Sequence, residues 1–218
     1  MIAYFKADAD KLVQASLEHV QLTVSALFFA LVFAFILTGL LYFLPKLREV
    51  SVYILSLFYA VPSFALFALL IPVTGLGKTT AIVALAAYAQ YILVRSFLAG
   101  LLEVDPSLIE AAQGMGMTKG QILRKIRLPL AVPAIMSGIR LAATSIIMIA
   151  TIGATIQAGG LGTILFDGLR TNSIPKLVWG IILSIAITLW VNLFLYLIEE
   201  ICKPEMSRSW GGPDLDCH

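Results

Sequence analysis

The chain has 218 residues, of which 60% are hydrophobic and 13% are charged, and its formal net charge is +2. A soluble domain is usually about 45–50% apolar and about 25% charged, so this composition excludes an ordinary soluble protein and predicts that apolar surface faces lipid. No basic tract with interleaved aromatic residues is present, which argues against nucleic acid as a partner.

Five apolar runs are candidate membrane spans, and they cover Val20–Leu44, Ser51–Thr74, Thr79–Val94, Leu141–Ala158 and Leu177–Ile198. A helix needs about 20 residues to cross a bilayer core, so the first and fifth runs fit easily. The third and fourth runs are short, which predicts that Arg95 and Arg140 at their ends lie at the membrane interface. Pro62 interrupts the second run and predicts a break that either lines a pathway or is a structural kink.

A polar and basic segment, residues 105 to 129, separates the third run from the fourth. The pair Asp105–Pro106 is typical of a helix start, because aspartate caps free amides and proline suits the first helical position. Gly114 and Gly116 then predict a sharp turn after one short helix.

A second helix is predicted in the same segment, over Lys119–Arg127, with Thr118 as its cap and with Pro129 and Pro133 ending it. The segment would then be a helix-turn-helix at the membrane surface. From pattern and charge alone, it is either an ordinary amphipathic connector or a docking surface for a partner.

The lysines and arginines outside the span ends predict the orientation of the chain. Eight lie on the side of residues 105 to 129, namely Lys46, Arg48, Lys119, Arg124, Lys125, Arg127, Lys203 and Arg208. Five lie on the other side, namely Lys6, Lys11, Lys78, Arg170 and Lys176. Since basic residues favour the cytoplasmic side, we expect the N-terminus outside and the C-terminus inside.

A glycine-rich run, Gly153–Gly162, closes the fourth span on the outer side. Clustered glycines permit irregular backbone that is buried in protein or faces a cavity, and the ordinary alternatives are a flexible loop or close helix packing. A phosphate-binding loop is a poor interpretation, because no Lys-Ser/Thr pair follows, no strand precedes the run and it lies on the outer side. Thr163–Thr171 would follow as a short amphipathic helix with Asp167 and Arg170 exposed.

Residues with catalytic or metal-binding spacing are missing from the sequence. Cys202 and Cys217 have neither metal-site spacing nor a catalytic partner, and His19 and His218 have no ligand neighbours. No apolar leader follows the N-terminus, so no cleavable signal peptide is visible. We expect one all-α membrane domain over residues 1–218, with a core of about residues 17–200 and a C-terminal tail over 203–218. No metal site, catalytic residue or cofactor bound by this chain is expected.

The segment from Glu110 to Pro129 resembles the EAA loop of ABC-importer permeases. The pattern is Glu-Ala-Ala, three residues, Gly, nine residues, Ile, one residue, Leu-Pro, and every fixed position is filled. The resemblance implies a permease subunit that docks on a separate ATPase, which uses ATP and magnesium. It implies these ATPase-coupling residues: Glu110, Ala111, Ala112, Gly114, Gly116, Leu128 and Pro129.

The resemblance extends over about residues 17 to 200 and is strongest to permeases for osmoprotectants such as glycine betaine, carnitine and choline. It is carried by Tyr59–Ser63, Val104–Thr118 and Leu128–Arg140. It implies a multi-pass protein of the cytoplasmic membrane, an external substrate-binding protein and a second identical or related permease. It also implies gate or pathway roles for Pro62, Ser63, Gly159, Gly160 and Gly162.

Two other functions stay open at this point. Methionine or other amino-acid permeases share five spans and much of the same pattern. A stand-alone channel or proton-coupled carrier belongs to a different class, but it would not need a helical docking loop, and the spans contain no carboxylate pair for a proton relay.

Overall fold

The computed structural model describes the backbone of residues 2–202 and the side chains of residues 8–201, and between residues 2 and 202 it contains helices and turns only. The predicted tail, with Lys203, Arg208, Cys217 and His218, lies outside the described residues, as does the side chain of Lys6. The helices are α1 Ile2–Phe43, α2 Pro45–Tyr59, α3 Ser63–Thr74, α4 Lys78–Leu102, α5 Pro106–Gly114, α6 Lys119–Ile122, a π turn Leu123–Arg127, α7 Leu128–Ala150, a 3₁₀ turn Ile152–Ile156, α8 Leu161–Arg170 and α9 Ile174–Cys202.

Four helical stretches within the described part are long and apolar enough to cross a membrane. They are Asp8–Phe43, Lys78–Leu102, Lys119–Ala150 and Ile174–Ile201. The pair α2 and α3 gives a fifth crossing if the two are counted as one broken span. The prediction of an all-α, multi-pass membrane protein is therefore confirmed, and the predicted count of five depends on the broken pair.

The core lies where α4 packs against α1 and α7, and small residues bring the three backbones close together. Ala26, Ala30 and Ala34, four residues apart on α1, are fully buried. A Cβ added at Gly138 of α7 would lie 2.8 Å from the Ser96 hydroxyl oxygen of α4. Small residues at such spacing are typical of helix pairs in membranes, where packing replaces the hydrophobic effect as the main attraction.

The second span is broken at the predicted proline. Helices α2 and α3 meet at 95°, and Pro62 directly precedes α3 with φ −58°. Proline lacks an N–H and so cannot donate to the Phe58 carbonyl four residues back, but that carbonyl accepts from the Val61 amide at 3.2 Å. At the break itself, the Tyr88 hydroxyl of α4 donates a hydrogen bond to the Val61 carbonyl. This hydrogen bond connects the bend to the buried residue Tyr88 of the core.

Two predicted span boundaries are wrong. The third span continues to Leu102, so Arg95 lies within α4 and not at its end, on an exposed face of the helix. The fourth begins at Leu128 and its regular α-helix ends at Ala150. Arg140 therefore lies mid-helix, where it forms an ion pair with the largely buried Glu199 of α9. A partner of opposite charge is what an arginine at this depth requires.

The prediction that Pro129 and Pro133 end a loop helix is also wrong. Helix continues from Lys119 through both prolines to Ala150. The π turn explains how: the Leu128 amide donates to the Leu123 carbonyl five residues back, directly before Pro129. A π turn is wider than an α turn, which relieves the clash between a proline ring and the preceding turn.

Candidate functional site

The candidate site has two parts at opposite ends of α4. The predicted coupling segment follows the C-terminus of α4 at Leu102, whereas the glycine-rich run lies beside its N-terminus, since a Cβ at Gly77 would lie 3.8 Å from the Gln157 carbonyl oxygen. Helix α4 has 25 residues, so the two parts are about 37 Å apart along its axis at about 1.5 Å per residue.

Helix α5 in the coupling segment has the predicted start and a well-defined end. The Asp105 carboxylate accepts a hydrogen bond of 2.8 Å from the Ser107 amide, and the hydrogen bonds from Ser107 lower the pKa of this carboxyl. At the other end, Met117 N–H donates to the Ala112 carbonyl and Gly116 N–H to the Gln113 carbonyl. This pair of bonds is a Schellman motif, which places Gly116 at φ +78°.

The second half of the segment begins at a capping box, as predicted for Thr118. Its hydroxyl accepts from the Gln121 amide, and the Gln121 side chain accepts from the Thr118 amide at 2.8 Å. The half ends at Arg127, whose Nη1 donates to the Leu101 carbonyl at 2.7 Å. The Arg127 guanidinium also lies 5.9 Å from the centre of the Tyr42 ring of α1. Arg127 therefore links the segment to the ends of two spans.

The predicted coupling residues differ in exposure. Glu110, Ala111, Gly114, Gly116 and Leu128 are exposed. Ala112 is fully buried and Pro129 is half-buried, so these two support the segment from within and add little to its outer surface. Three apolar side chains make the exposed surface partly hydrophobic, namely Leu108, Met115 and Leu128. A surface with such side chains beside charged ones is typical of a site that binds another protein.

The three predicted gate glycines lie at close contacts rather than in a flexible loop. Gly159 and Gly160 have φ +84° and +79°. A Cβ at Gly159 would lie 2.5 Å from a Glu18 carboxylate oxygen, one at Gly160 would lie 3.0 Å from His19 Nδ1, and one at Gly162 would overlap the Thr151 carbonyl. Of the alternatives for this run, close packing describes these positions best.

Glu18 and His19 hold the glycine-rich run against α1, a role that the sequence did not predict. The Gly160 amide donates to the Glu18 carboxylate at 3.1 Å, and His19 Nε2 lies 3.2 Å from the Ile147 carbonyl oxygen of α7. The His19 side chain is fully buried. These partners are 142 and 128 residues apart in the chain, and the available signal was only a Glu-His pair directly before the apolar run that begins at Val20.

The short helix after the glycine-rich run is present as α8. Asp167 accepts hydrogen bonds from Lys176 at 2.6 Å and from Arg170 at 3.0 Å, and these bonds lower the pKa of its carboxyl. Arg170 is exposed as predicted, whereas Asp167 is only partly exposed because of its two partners. Pro62 is exposed at the bend and Ser63 is half-buried. The neighbouring Val61 is bound by Tyr88, about 16 Å along α4 from Gly77, where the glycine-rich run approaches that helix.

Comparison with known families identifies the chain. Residues 22–208 match the family described as the inner membrane component of binding-protein-dependent transport systems. The chain belongs to this family. With its apolar helices, it is a multi-pass membrane protein.

Relatives within the family are permease subunits. The chain is 32% identical over 209 residues to a carnitine transport permease protein of Listeria monocytogenes, covering 96% of both chains. It is 38% identical over 166 residues to an osmoprotectant import permease protein of Salmonella typhimurium, covering 75% of this chain and 70% of the other.

A solved structure has the same fold. A chain of the MetNI methionine ABC transporter, in an inward-facing conformation, superposes with a TM-score of 0.79 at 26% identity, covering 88% of this chain and 96% of that one. This chain therefore has the fold of an ABC-importer permease.

Proposed function

We propose that this chain is the permease subunit of an ATP-driven importer for quaternary-ammonium osmoprotectants such as glycine betaine, carnitine and choline. The observation that carries the proposal is the exposed helix-turn-helix of residues 105 to 129, which contains the complete EAA pattern. The relatives that transport carnitine and other osmoprotectants support this substrate class. A methionine importer is the second candidate, favoured by the fold of the methionine transporter.

The proposed partners follow from the family and from the exposed coupling segment. A separate ATPase would hydrolyse ATP with magnesium and dock on residues 105 to 129, with Glu110, Ala111, Gly114, Gly116 and Leu128 at its surface. An external binding protein would deliver the substrate. A second permease, identical or related, would complete the pathway, as the resemblance to ABC-importer permeases implies.

The proposed topology has the N-terminus outside and the C-terminus in the cytoplasm. Residues 105 to 129 then face the cytoplasmic ATPase, while Gly159, Gly160 and Gly162 lie near the outer gate. Arg127 supports the coupling role, because a displacement of the segment would be transmitted to the Leu101 carbonyl of α4 and the Tyr42 ring of α1.

The test is uptake by cells that express the complete importer and lack other osmoprotectant transporters. Radiolabelled glycine betaine, carnitine, choline and methionine are offered separately, and the ATPase that co-purifies with the permease is quantified. We expect uptake of at least one quaternary-ammonium compound, lost when ATP is depleted. Uptake of methionine alone would favour the second candidate. ATP-independent uptake with no ATPase bound would contradict both.

Glu110→Lys tests the docking surface, because it reverses the charge of an exposed side chain without touching a span. We expect reduced ATPase binding and reduced uptake at equal permease content. The matched control is Glu103→Lys, an equal charge change at an exposed residue that directly follows α4. An equal effect of both variants would mean that charge on this face, and not the EAA pattern, controls docking.

A further inference from the structure

A groove between α2 and α4 carries aromatic and charged side chains at helical spacing. It has a volume of about 440 Å³ and is lined on α2 by Glu49, Tyr53 and Ser56, and on α4 by Tyr91 and Arg95. The residues on each helix are three or four positions apart, so each set lies on one face and the two faces oppose each other. The EAA pattern does not include these side chains, and of them Tyr91 also packs against the core.

An aromatic cluster closes the groove at the bend of the second span. The Tyr59 ring centre lies 5.3 Å from that of Tyr91 and 6.0 Å from that of Tyr88. Tyr59 follows Ser56 by three residues and directly precedes the break before Pro62. Tyr88 is buried and donates a hydrogen bond to the Val61 carbonyl at the bend. Tyr59 is 37% exposed and lies beside the groove, where its ring contacts that of the lining residue Tyr91.

Arg95 places a charge inside this groove. It is exposed, and it lies seven residues before the end of α4, which is about 10 Å along the helix axis. At this distance from the helix end, the guanidinium can lie at the membrane–water interface or against another protein group, which costs far less than a charge at the bilayer centre. Its Nη1 donates to the Tyr91 hydroxyl at 2.6 Å, and its guanidinium lies 5.8 Å from the Tyr91 ring centre.

Arg48, the other arginine that lines the groove, forms hydrogen bonds with the end of α1. It donates to the Leu41 and Tyr42 carbonyls at the end of α1, at 3.4 and 3.1 Å. Among the described residues, Arg95 donates a hydrogen bond only to Tyr91, which uses one of its five N–H groups. Arg95 is exposed in the groove, and a guanidinium with N–H groups available is suited to bind a carboxylate with two parallel hydrogen bonds.

We propose that this groove binds the transported molecule on its route, and that it selects a zwitterion with a quaternary ammonium group and a carboxylate. The ammonium lies against the faces of Tyr59 and Tyr53, where the ring quadrupole attracts cations. The carboxylate binds Arg95, which Tyr91 holds in position. The inference rests on the proposed function and adds to it a preference for zwitterions over choline. Choline has no carboxylate, so it contacts only the tyrosine rings and not Arg95.

The test compares substrates in the complete importer, using radiolabelled glycine betaine, carnitine and choline at saturating concentration of the external binding protein. In Arg95→Gln, uptake of glycine betaine and carnitine falls about tenfold or more, the effect of losing a hydrogen-bonded charge pair, while choline uptake changes little. Arg95→Lys restores part of the loss. Tyr59→Leu lowers uptake of all three compounds.

The matched control is Lys46→Gln, which removes the charge of an exposed residue at the start of α2. Lys46 does not line the groove, so uptake is unchanged.

The ratio of zwitterion to choline uptake separates binding from a structural role, because misfolding lowers both equally. The inference is overturned if Arg95→Gln reduces uptake of all three substrates equally. It is also overturned if Arg95→Gln causes no loss of uptake, or if Tyr59→Leu causes none. The proposed function stands in each of these cases. Wild-type uptake of choline alone also overturns it. If the wild type transports none of the three compounds, the proposed substrate class fails and the inference fails with it.

Discussion

The turn at Gly116 can be tested with a change of a single methyl group. Gly116 and Gly120 both have open space around them, since a Cβ at either would meet no heavy atom within 4 Å. They differ in backbone conformation, because Gly116 has φ +78° in the Schellman motif whereas Gly120 lies in α6. Gly116→Ala and Gly120→Ala therefore add the same atom at the same end of the protein, but only the first strains the backbone.

The expected difference follows from that conformation. An L-residue in the left-handed region costs roughly 1–2 kcal/mol. In a helix, alanine is favoured over glycine by roughly 0.5–1 kcal/mol. Since about 1.4 kcal/mol is a factor of ten in an equilibrium, Gly116→Ala reduces the population of the native turn about tenfold relative to competing conformations, while Gly120→Ala is neutral or slightly stabilising.

The assay measures uptake, ATPase activity and the amount of ATPase co-purified, in membranes with equal permease content. We expect Gly116→Ala to lower uptake relative to ATPase activity, because a misdirected turn presents Glu110 and Leu128 wrongly, and we expect Gly120→Ala to resemble the wild type. If both variants transported normally with ATPase bound, turn geometry would not control coupling. If both failed equally, the loss would come from added bulk at the docking surface.

Three further predictions concern the spans and the termini. Gly162→Ala introduces an overlap with the Thr151 carbonyl that costs about 1–3 kcal/mol or more, so we expect a lower thermal stability of the purified protein. The control is Gly39→Ala, which adds a methyl group in open space and leaves the thermal stability unchanged. Glu199→Leu leaves the Arg140 guanidinium without its carboxylate and costs about 1–3 kcal/mol in the same assay, and adding Arg140→Leu recovers most of the loss. Cys217 is labelled by an impermeant thiol reagent only after permeabilisation; labelling in intact cells would contradict the proposed topology.

Local features of the fold were predictable from sequence because neighbouring residues determine them. Apolar runs indicated the spans, Asp105 and Thr118 cap their helices through atoms two or three residues away, and Gly116 adopts the positive φ that its place in the turn required. The first helix of the coupling segment, its turn and the start of its second helix were therefore predicted correctly, whereas the end of the second helix was not. The role of this segment stays a prediction.

Long-range features were not predictable, because single residues carry no signal of distant partners. Glu18 contacts Gly160 across 142 residues, and Arg127 reaches Leu101 and Tyr42. Prolines in the coupling segment gave a wrong boundary, since proline usually ends a helix and the sequence does not show that a π turn will accommodate it. The 95° bend of the second span likewise involves a distant partner, because the Tyr88 hydroxyl of α4 donates to the Val61 carbonyl at the bend.

The π turn at Leu123–Arg127 makes chain length itself a determinant of orientation. The segment before it and α7 after it belong to one continuous helical stretch, Lys119–Ala150. Each residue of an α-helix advances by about 100° and about 1.5 Å. Deleting one residue of the turn would convert it to ordinary α-helix and swing everything before it by about 100° around the axis of α7. One residue in this turn therefore sets the direction in which the preceding segment faces around the axis of α7.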